Sequence, residues 1–496
     1  MTKYGDRIES MLNSYSLRQK LGLLCGPSLF LLVLMMPLPD GMTVEAQRVA
    51  ALALLMACFW MAETVPIPVT AMLPIFMFPV LGVLPTSKVT VAYGNHILFL
   101  FMGGFLIAVA MQKWQLHRRI ALNIIAKLGS SPQRLLLGFM LSTALLSMWI
   151  SNTATAMMMM PVALAVIEQN RQDSGAAEGK FGLALMLAIA YSASIGGVAT
   201  LVGTPPNAIF IGIIETLYAY EISFFDWMLL GVPISVSMLL MCWWVLSRLI
   251  QDIDSNAEGA LKTESKGLAH QHIVQELDDM GPISMEESRV ASVFAMVALA
   301  WILRGLFKPE ALSMVSDSAI AMAGAFVLFA LPASKAKGGF ILDWKTAATI
   351  PWDIIILMGG GFALAAGFSE SGLTQWLAGQ LSILEGVNVF IVILAAVFFV
   401  TFLTEITSNA ATATLFIPVM GALAISMNMH PFTLMVPSAL AASMAFMLPV
   451  ATPPNAIVFA SRQVSIGQMA STGFILNIAG GILVSVLSYL LLPVLL

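Results

Sequence analysis

Charge is what this sequence has least of. Of its 496 residues, 10% are Asp, Glu, Lys or Arg, while 59% are hydrophobic. Soluble domains carry about 25% charge, which argues against a soluble enzyme and for a helical protein embedded in a bilayer. Cysteine is scarce too. Cys25, Cys58 and Cys242 are scattered in or beside apolar stretches. Three scattered thiols build neither a disulfide framework nor a metal site and read as packing residues. No basic run is long enough to grip nucleic acid, and a net charge of -4 says little about partners. Catalytic signatures are missing as well. There is no His-Glu-x-x-His, no Gly-x-Ser-x-Gly and no pair of intramembrane aspartates, so an enzyme is not expected. Residues 1–20 are polar and basic and lead into an apolar run from Leu21. No small-residue cleavage site follows, so this reads as a retained first helix rather than a signal peptide.

Long apolar runs are abundant. A helix crosses about 30 Å of hydrocarbon with about 20 residues. Eleven spans are expected, at 21–37, 47–64, 66–83, 97–112, 181–216, 226–249, 289–306, 317–332, 352–369, 432–462 and 471–495. Two further runs, 133–167 and 387–425, are too long for one crossing and are interrupted by Ser-Asn motifs. Each reads as a re-entrant hairpin that enters and leaves on one side. The fold class expected is an all-α polytopic membrane protein. Basic residues cluster on the cytoplasmic side of membrane proteins. The clusters here are Lys3, Arg7, Arg18 and Lys20, then Lys113 to Arg134, Arg171 and Lys180, Arg248 to Lys266, and Lys335 to Lys345. All fall inside if the hairpins do not cross. That puts the N-terminus in the cytoplasm and the C-terminus outside. Residues 250–288 then form a cytoplasmic loop. It contains His270 and His272, a pair that can bind metal, but without a Cys or carboxylate framework. A solvated loop with an amphipathic helix at the membrane surface is the favoured reading.

Three pieces of sequence recur in the same order. Met102-Gly103-Gly104-Phe105 matches Gly359-Gly360-Gly361-Phe362. Ser151-Asn152 matches Ser408-Asn409. Gly203-Thr204-Pro205-Pro206-Asn207 matches Ala451-Thr452-Pro453-Pro454-Asn455. One match is weak evidence, because paired glycines in a membrane helix usually serve close packing. Three in order indicate a repeat. A leading helix followed by two units of five spans, 38–249 and 289–496, turns the second unit upside down. Inverted repeats with broken helices are the architecture of secondary transporters, which bind near the bilayer midplane. A Pro-Pro pair removes two amide donors, so 181–216 and 432–462 read as broken helices.

The chemistry of these motifs suits ions. Helix N-termini present free amides and partial positive charge to anions. Hard cations take oxygen ligands. The carbonyls of Gly203 and Ala451, with oxygens of Ser147, Ser151, Asn152, Thr404, Thr407 and Asn409, can supply two sodium sites. No Lys or Arg lies within the motifs. A buried anion there needs another source of positive charge, and adjacent sodium ions supply it. Glu405 is the one carboxylate beside a motif, and its counterpart is Met148. It reads as structural support, since direct contact would repel an anion.

At these residues the chain resembles the divalent anion/sodium symporter family, the INDY-like dicarboxylate transporters. The resemblance covers nearly the whole chain and is densest in LLSMWISNTATA, AYSASIGGVATLVGTPPNAI and FMLPVATPPNAIVFAS. It implies a homodimer in the bacterial plasma membrane, with a scaffold part and a mobile part that moves as an elevator. It implies one sodium site at Ser147, Ser151, Asn152 and Gly203 and a second at Thr404, Thr407, Asn409 and Ala451. It implies that substrate meets Asn152, Thr153, Thr204, Asn409, Thr452 and Pro453. The expected function is sodium-coupled symport of a C4-dicarboxylate such as succinate, fumarate or malate. The alternatives on the same fold are sulfate or citrate symport and sodium-independent exchange. A passive channel is the alternative of another class. Ala410 departs from the pattern of the family's bacterial dicarboxylate carriers, which has Thr there, and leaves the substrate open, since its tricarboxylate and sulfate carriers vary at that place.

Overall fold

Backbone amides among apolar neighbours have no partners but each other, so apolar segments must become helices. In a computed structural model of the chain they do. The structure describes residues 15–129, 131–171, 178–255, 265–308, 314–382 and 386–495. Among the described residues there are helices and turns, plus one isolated bridge between Pro332 and Phe340. Nine of the described helices are long and apolar enough to cross a membrane, and five shorter apolar helices accompany them. The expected span at 66–83 is one of the shorter ones, divided into Ile67–Thr70 and Leu73–Val80. Pro68 and Pro74 sit in the first two positions of those pieces, where a missing amide hydrogen costs nothing.

The two halves repeat each other down to single hydrogen bonds. Thr43 and Ser284 cap the helices Val44–Ala62 and Met285–Phe307. Trp60 Nε1 donates to the Ile67 carbonyl at 3.0 Å, and Trp301 Nε1 to the Asp317 carbonyl at 2.9 Å. Arg48 donates to the Leu81 carbonyl and Arg289 to that of Pro332. Their shared signature, Glu45-x-x-Arg48-Val49-Ala50 and Glu286-x-x-Arg289-Val290-Ala291, is a fourth match that the three motifs do not include.

The glycine pairs sit where helices of opposite halves touch. A Cβ on Gly103, in His96–Lys113, would lie 2.6 Å from the Ala321 Cβ. A Cβ on Gly360, in Trp352–Glu370, would overlap the Ala71 carbonyl oxygen. Each half therefore grips the other across a glycine. Lys113 adds a polar brace, donating to Asp343 at 2.6 Å. That hydrogen bond holds the Asp343 carboxyl down to about 2. Its stabilisation is present above pH ~4 and is lost as the pH falls through the lowered value.

Two amphipathic helices, Leu116–Leu128 and Leu373–Leu381, lead into the hairpins. Each starts after a left-handed residue, Gln115 at φ 56° and Gly372 at φ 78°. In the expected cytoplasmic loop, Ser265–Asp279 is a helix packed on Leu116–Leu128 through Arg118 and Glu276. His272 Nε2 lies 3.5 Å from Glu276. Among the described residues no cluster of three or more His, Cys, Asp or Glu can hold a metal.

Gly360→Val should destabilise the protein by about 1–3 kcal/mol, because the added carbons meet backbone that cannot give way. Gly379→Ala, in a helix with open space at that position, should be neutral or slightly stabilising. Thermal unfolding of the two purified variants in one detergent checks both, and equal midpoints would remove the packing role of Gly360.

Candidate functional site

Each long hairpin run becomes two helices meeting at a four-residue tip. The first hairpin is Pro132–Ser147 and Asn152–Arg171, and the second is Val389–Thr404 and Asn409–Ser426. The broken helices are Glu178–Gly197 with Pro205–Tyr218, and Phe432–Ala442 with Pro453–Ala460. The proline pairs do not break a continuous helix. They occupy the first two positions of the second segment, where fixed φ favours helix initiation. The non-helical stretch lies before them.

That stretch is held by its own asparagine. Asn207 Nδ2 donates to the carbonyls of Gly197, Val198 and Thr200, the last at 2.8 Å. Asn455 Nδ2 donates to those of Ala445 and Leu448 at 3.1 and 3.0 Å. Both side chains are fully buried. Glu405 fixes the second break further. It accepts from the amides of Phe446, Met447 and Leu448 at 2.7, 2.9 and 3.0 Å and from Asn477 at 2.7 Å. In the first half its counterpart Met148 offers only a backbone carbonyl, which Thr200 Oγ1 binds.

Two tips and two breaks converge on one open cavity of about 490 Å³, whose wall also includes Glu63, Phe101, Phe105 and Asp353. Ser151, Asn152, Thr153, Gly203, Thr204, Thr407, Asn409, Ala451, Thr452 and Pro453 all line it, as does Ala410. Four helices begin at its wall, at Asn152, Pro205, Asn409 and Pro453. Their partial positive charges add in one space. Thr204 caps its helix without a side-chain bond, so its hydroxyl is available to a ligand.

Ser147 and Thr404 do not line the cavity but lie fully buried beneath the tips. Ser147 Oγ is 2.5 Å from the Asn152 side-chain amide and donates to the Ala193 carbonyl at 2.7 Å. Thr404 Oγ1 is 2.7 Å from Asn409 Oδ1 and 3.1 Å from the Ala442 carbonyl. A hydroxyl has one hydrogen to give, so Thr404 donates to only one of these two oxygens. In the first half the Asn152 amide nitrogen meets the remaining acceptors, donating to Ser147 Oγ, to the Ala193 carbonyl at 3.1 Å and to the Gly203 carbonyl at 3.2 Å. The carbonyls of Ala193 and Ala442 are ligand candidates that the sequence motifs do not mark, because any residue type supplies a carbonyl.

The sodium:sulfate symporter transmembrane region matches residues 19–495. The chain belongs to that family. It is 44% identical to the sodium-dependent dicarboxylate transporter SdcS of Staphylococcus saprophyticus, over 97% of this chain and 92% of that one. It is 42% identical to SdcS of Staphylococcus aureus, over 97% and 93%. Two solved structures share the fold. The Alcanivorax borkumensis YdaH transporter has a TM-score of 0.59 at 13% identity, over 82% of this chain and 88% of that one. Neisseria gonorrhoeae MtrF has a TM-score of 0.55 at 13% identity, over 96% and 95%.

Within this family member, one cation does line the cavity. Arg18, on the first helix Leu17–Met35, donates to the carbonyls of Met61 and Ile406 and lies 3.7 Å from Glu63. Nothing in its local sequence marks it, since it lies far along the chain from every motif. Glu405 is absent from the cavity wall. Glu405→Ala should lower the thermal midpoint of the purified protein by several degrees, because each amide it leaves unpartnered costs about 1–3 kcal/mol. Asn477→Ala should cost less, since the three backbone donors remain. An unchanged midpoint for Glu405→Ala would show that the break holds itself.

Proposed function

We propose that the chain is a secondary active transporter, not an enzyme, that couples inward sodium movement to uptake of a C4-dicarboxylate. The observation that carries this reading is the pair of matched, buried oxygen clusters beneath the tips, Ser147 with Asn152 and Ala193, and Thr404 with Asn409 and Ala442. They flank a cavity lined by four helix N-termini. The named function of the Staphylococcus relatives supports the same substrate class.

In this reading the first sodium binds Ser147, Ser151, Asn152 and Gly203, joined by the Ala193 carbonyl. The second binds Thr404, Thr407, Asn409 and Ala451, joined by that of Ala442. The dicarboxylate lies between, with its carboxylates toward Asn152, Thr153, Thr204, Asn409, Thr452 and Pro453. Sodium supplies the positive charge that the motifs lack, so anion and cation stabilise each other's burial. That mutual dependence is the coupling. Substrates without the second carboxylate leave one tip's donors unmatched. Succinate, fumarate and malate fit this description. A sulfate or citrate carrier is the second reading, favoured by one feature, the missing hydroxyl at Ala410.

The membrane arrangement proposed with it is eleven spans and two re-entrant hairpins in two inverted units. The N-terminus is cytoplasmic, the C-terminus is outside, and the protein is a homodimer in the bacterial plasma membrane. Transport proceeds by elevator movement of the hairpins and broken helices. The matched hydrogen bonds of the two halves support the inverted repeat.

Labelled succinate uptake into proteoliposomes tests the proposal. Uptake should rise at least about tenfold with an inward sodium gradient, and Asn152→Ala or Asn409→Ala should lose about tenfold or more, one tenfold step being ~1.4 kcal/mol. Uptake indifferent to sodium would remove symport, and full activity in both variants would remove the site.

A further inference from the structure

The two helix breaks differ in length and in how they are tied to their hairpins. The first runs from the end of Glu178–Gly197 to Pro205, residues 198–204, and the second from the end of Phe432–Ala442 to Pro453, residues 443–452. Gly203 and Ala451, the backbone ligands of the proposed sodium sites, lie near their ends. In both breaks an inner residue holds that ligand by a turn. The Gly203 amide donates to the Thr200 carbonyl at 3.4 Å, and the Ala451 amide to the Leu448 carbonyl at 3.2 Å. The same two carbonyls accept from Asn207 and Asn455. Where Thr200 and Leu448 sit therefore decides where Gly203 and Ala451 sit.

What places those two residues is not the same. Thr200 reaches the first tip with its own hydroxyl, on the Met148 carbonyl. Leu448 has no polar side chain. Its amide donates to Glu405 Oε2 at 3.0 Å, and the amides of Phe446 and Met447 donate to Glu405 Oε1 at 2.7 and 2.9 Å. Glu405 directly follows Thr404 at the end of Val389–Thr404 and is buried. Its backbone belongs to the tip that carries Thr404, Thr407 and Asn409. Its carboxyl grips the break that carries Ala451. A third element braces the grip. Asn477, in Ile466–Leu495, donates to Glu405 Oε1 at 2.7 Å, and a Cβ on Gly473 of the same helix would overlap the Phe446 carbonyl. Four N–H groups thus converge on two carboxyl oxygens. In the first half the matching side chain, Met148, carries no carboxyl.

We propose that Glu405 is a positioning residue for the second sodium site, an inference that rests on the symport reading above. It fixes the distance from the oxygens of Thr404, Thr407 and Asn409 to the Ala451 carbonyl, and it does so from behind, outside the cavity wall. A hard cation needs its oxygen ligands at a set distance. A non-helical stretch with unpartnered amides does not hold a carbonyl there unaided, and side chains that orient metal ligands commonly contribute about tenfold or more to affinity. Glutamine at 405 keeps the size but not the chemistry. Its amide nitrogen would meet a backbone N–H, donor against donor. The two sodium sites therefore depend on different residues, the second on Glu405 and the first not.

The test compares the full chain with Glu405→Gln and with Asn477→Ala, which removes one of the four donors and leaves three. Labelled succinate uptake into proteoliposomes is titrated with sodium, and the succinate KM is measured in saturating sodium. Separately, in detergent and without succinate, the thermal midpoint is titrated with sodium against potassium at equal ionic strength. Sodium should raise the midpoint of the unaltered protein, because an ion that binds the folded state stabilises it. Glu405→Gln should need at least about threefold more sodium in both titrations, as expected for about a tenfold loss at one of two sites that fill together. Its succinate KM in saturating sodium should change less than about twofold. Asn477→Ala should shift both sodium titrations in the same direction by a smaller factor. A residue that only supports the fold would lower the midpoint in both salts and the maximal uptake, and leave the sodium titrations where they were. That result would overturn the proposal. If Glu405→Gln yields no folded protein, Asn477→Ala decides, and sodium titrations identical to those of the unaltered protein would overturn it equally. An unaltered protein whose midpoint and uptake both ignore sodium would instead remove the symport reading itself.

Discussion

The buried seat beneath each of two hairpin tips, where a hydroxyl meets an asparagine side chain and a backbone carbonyl, is the constraint on which the rest of this structure depends. Ser147 faces Asn152 and Ala193, and Thr404 faces Asn409 and Ala442. Burying such polar groups costs free energy unless each finds a partner or a bound ion. The helix breaks deliver the Gly203 and Ala451 backbone to the cavity wall. The tips deliver the asparagines. The four converging helix starts then make the neighbouring space fit for an anion. None of these parts has a purpose alone, which is why they occur together in both halves.

The scaffolding that holds this arrangement is symmetric in plan and asymmetric in chemistry. Asn207 and Asn455 tie the two breaks in the same way. Beyond that, the second break is tied by a buried carboxylate, Glu405, and the first by a threonine hydroxyl on the Met148 carbonyl. The second cage thus has a buried carboxyl group beside it that the first lacks. The tips differ as well, a tryptophan against an isoleucine, and so do positions 153 and 410. A strict repeat would bind two equal sodium ions and a symmetric anion. The departures make the two ends of the cavity unlike.

Much of this was legible in the sequence. Low charge and long apolar runs give the all-helical fold because a bilayer leaves the backbone no other partner. The Ser-Asn and Pro-Pro-Asn motifs give the cavity wall because polar groups and helix breaks at membrane depth are tolerated only where they line something. The backbone candidates at Gly203 and Ala451 were legible from the motifs, but those at Ala193 and Ala442 were not, because the proposed ligand there is a carbonyl about which an alanine side chain says nothing. Arg18 was also hidden, since its neighbour Ile406 is brought to it only by folding. The proline pairs were read as breaks by the donors they lack, whereas their fixed φ makes them starts. The match between the Glu45 and Glu286 segments was present but diluted by variable apolar positions between Arg48 and Trp60.

The central claim is that sodium supplies the positive charge an anion needs in a cavity whose tips carry no cationic side chain. Equilibrium binding of labelled succinate to the purified protein, in sodium and in potassium at equal ionic strength, tests it most directly. The account predicts binding in sodium and an affinity at least about tenfold weaker in potassium, a difference of ~1.4 kcal/mol or more. Equal affinity in the two salts would contradict it.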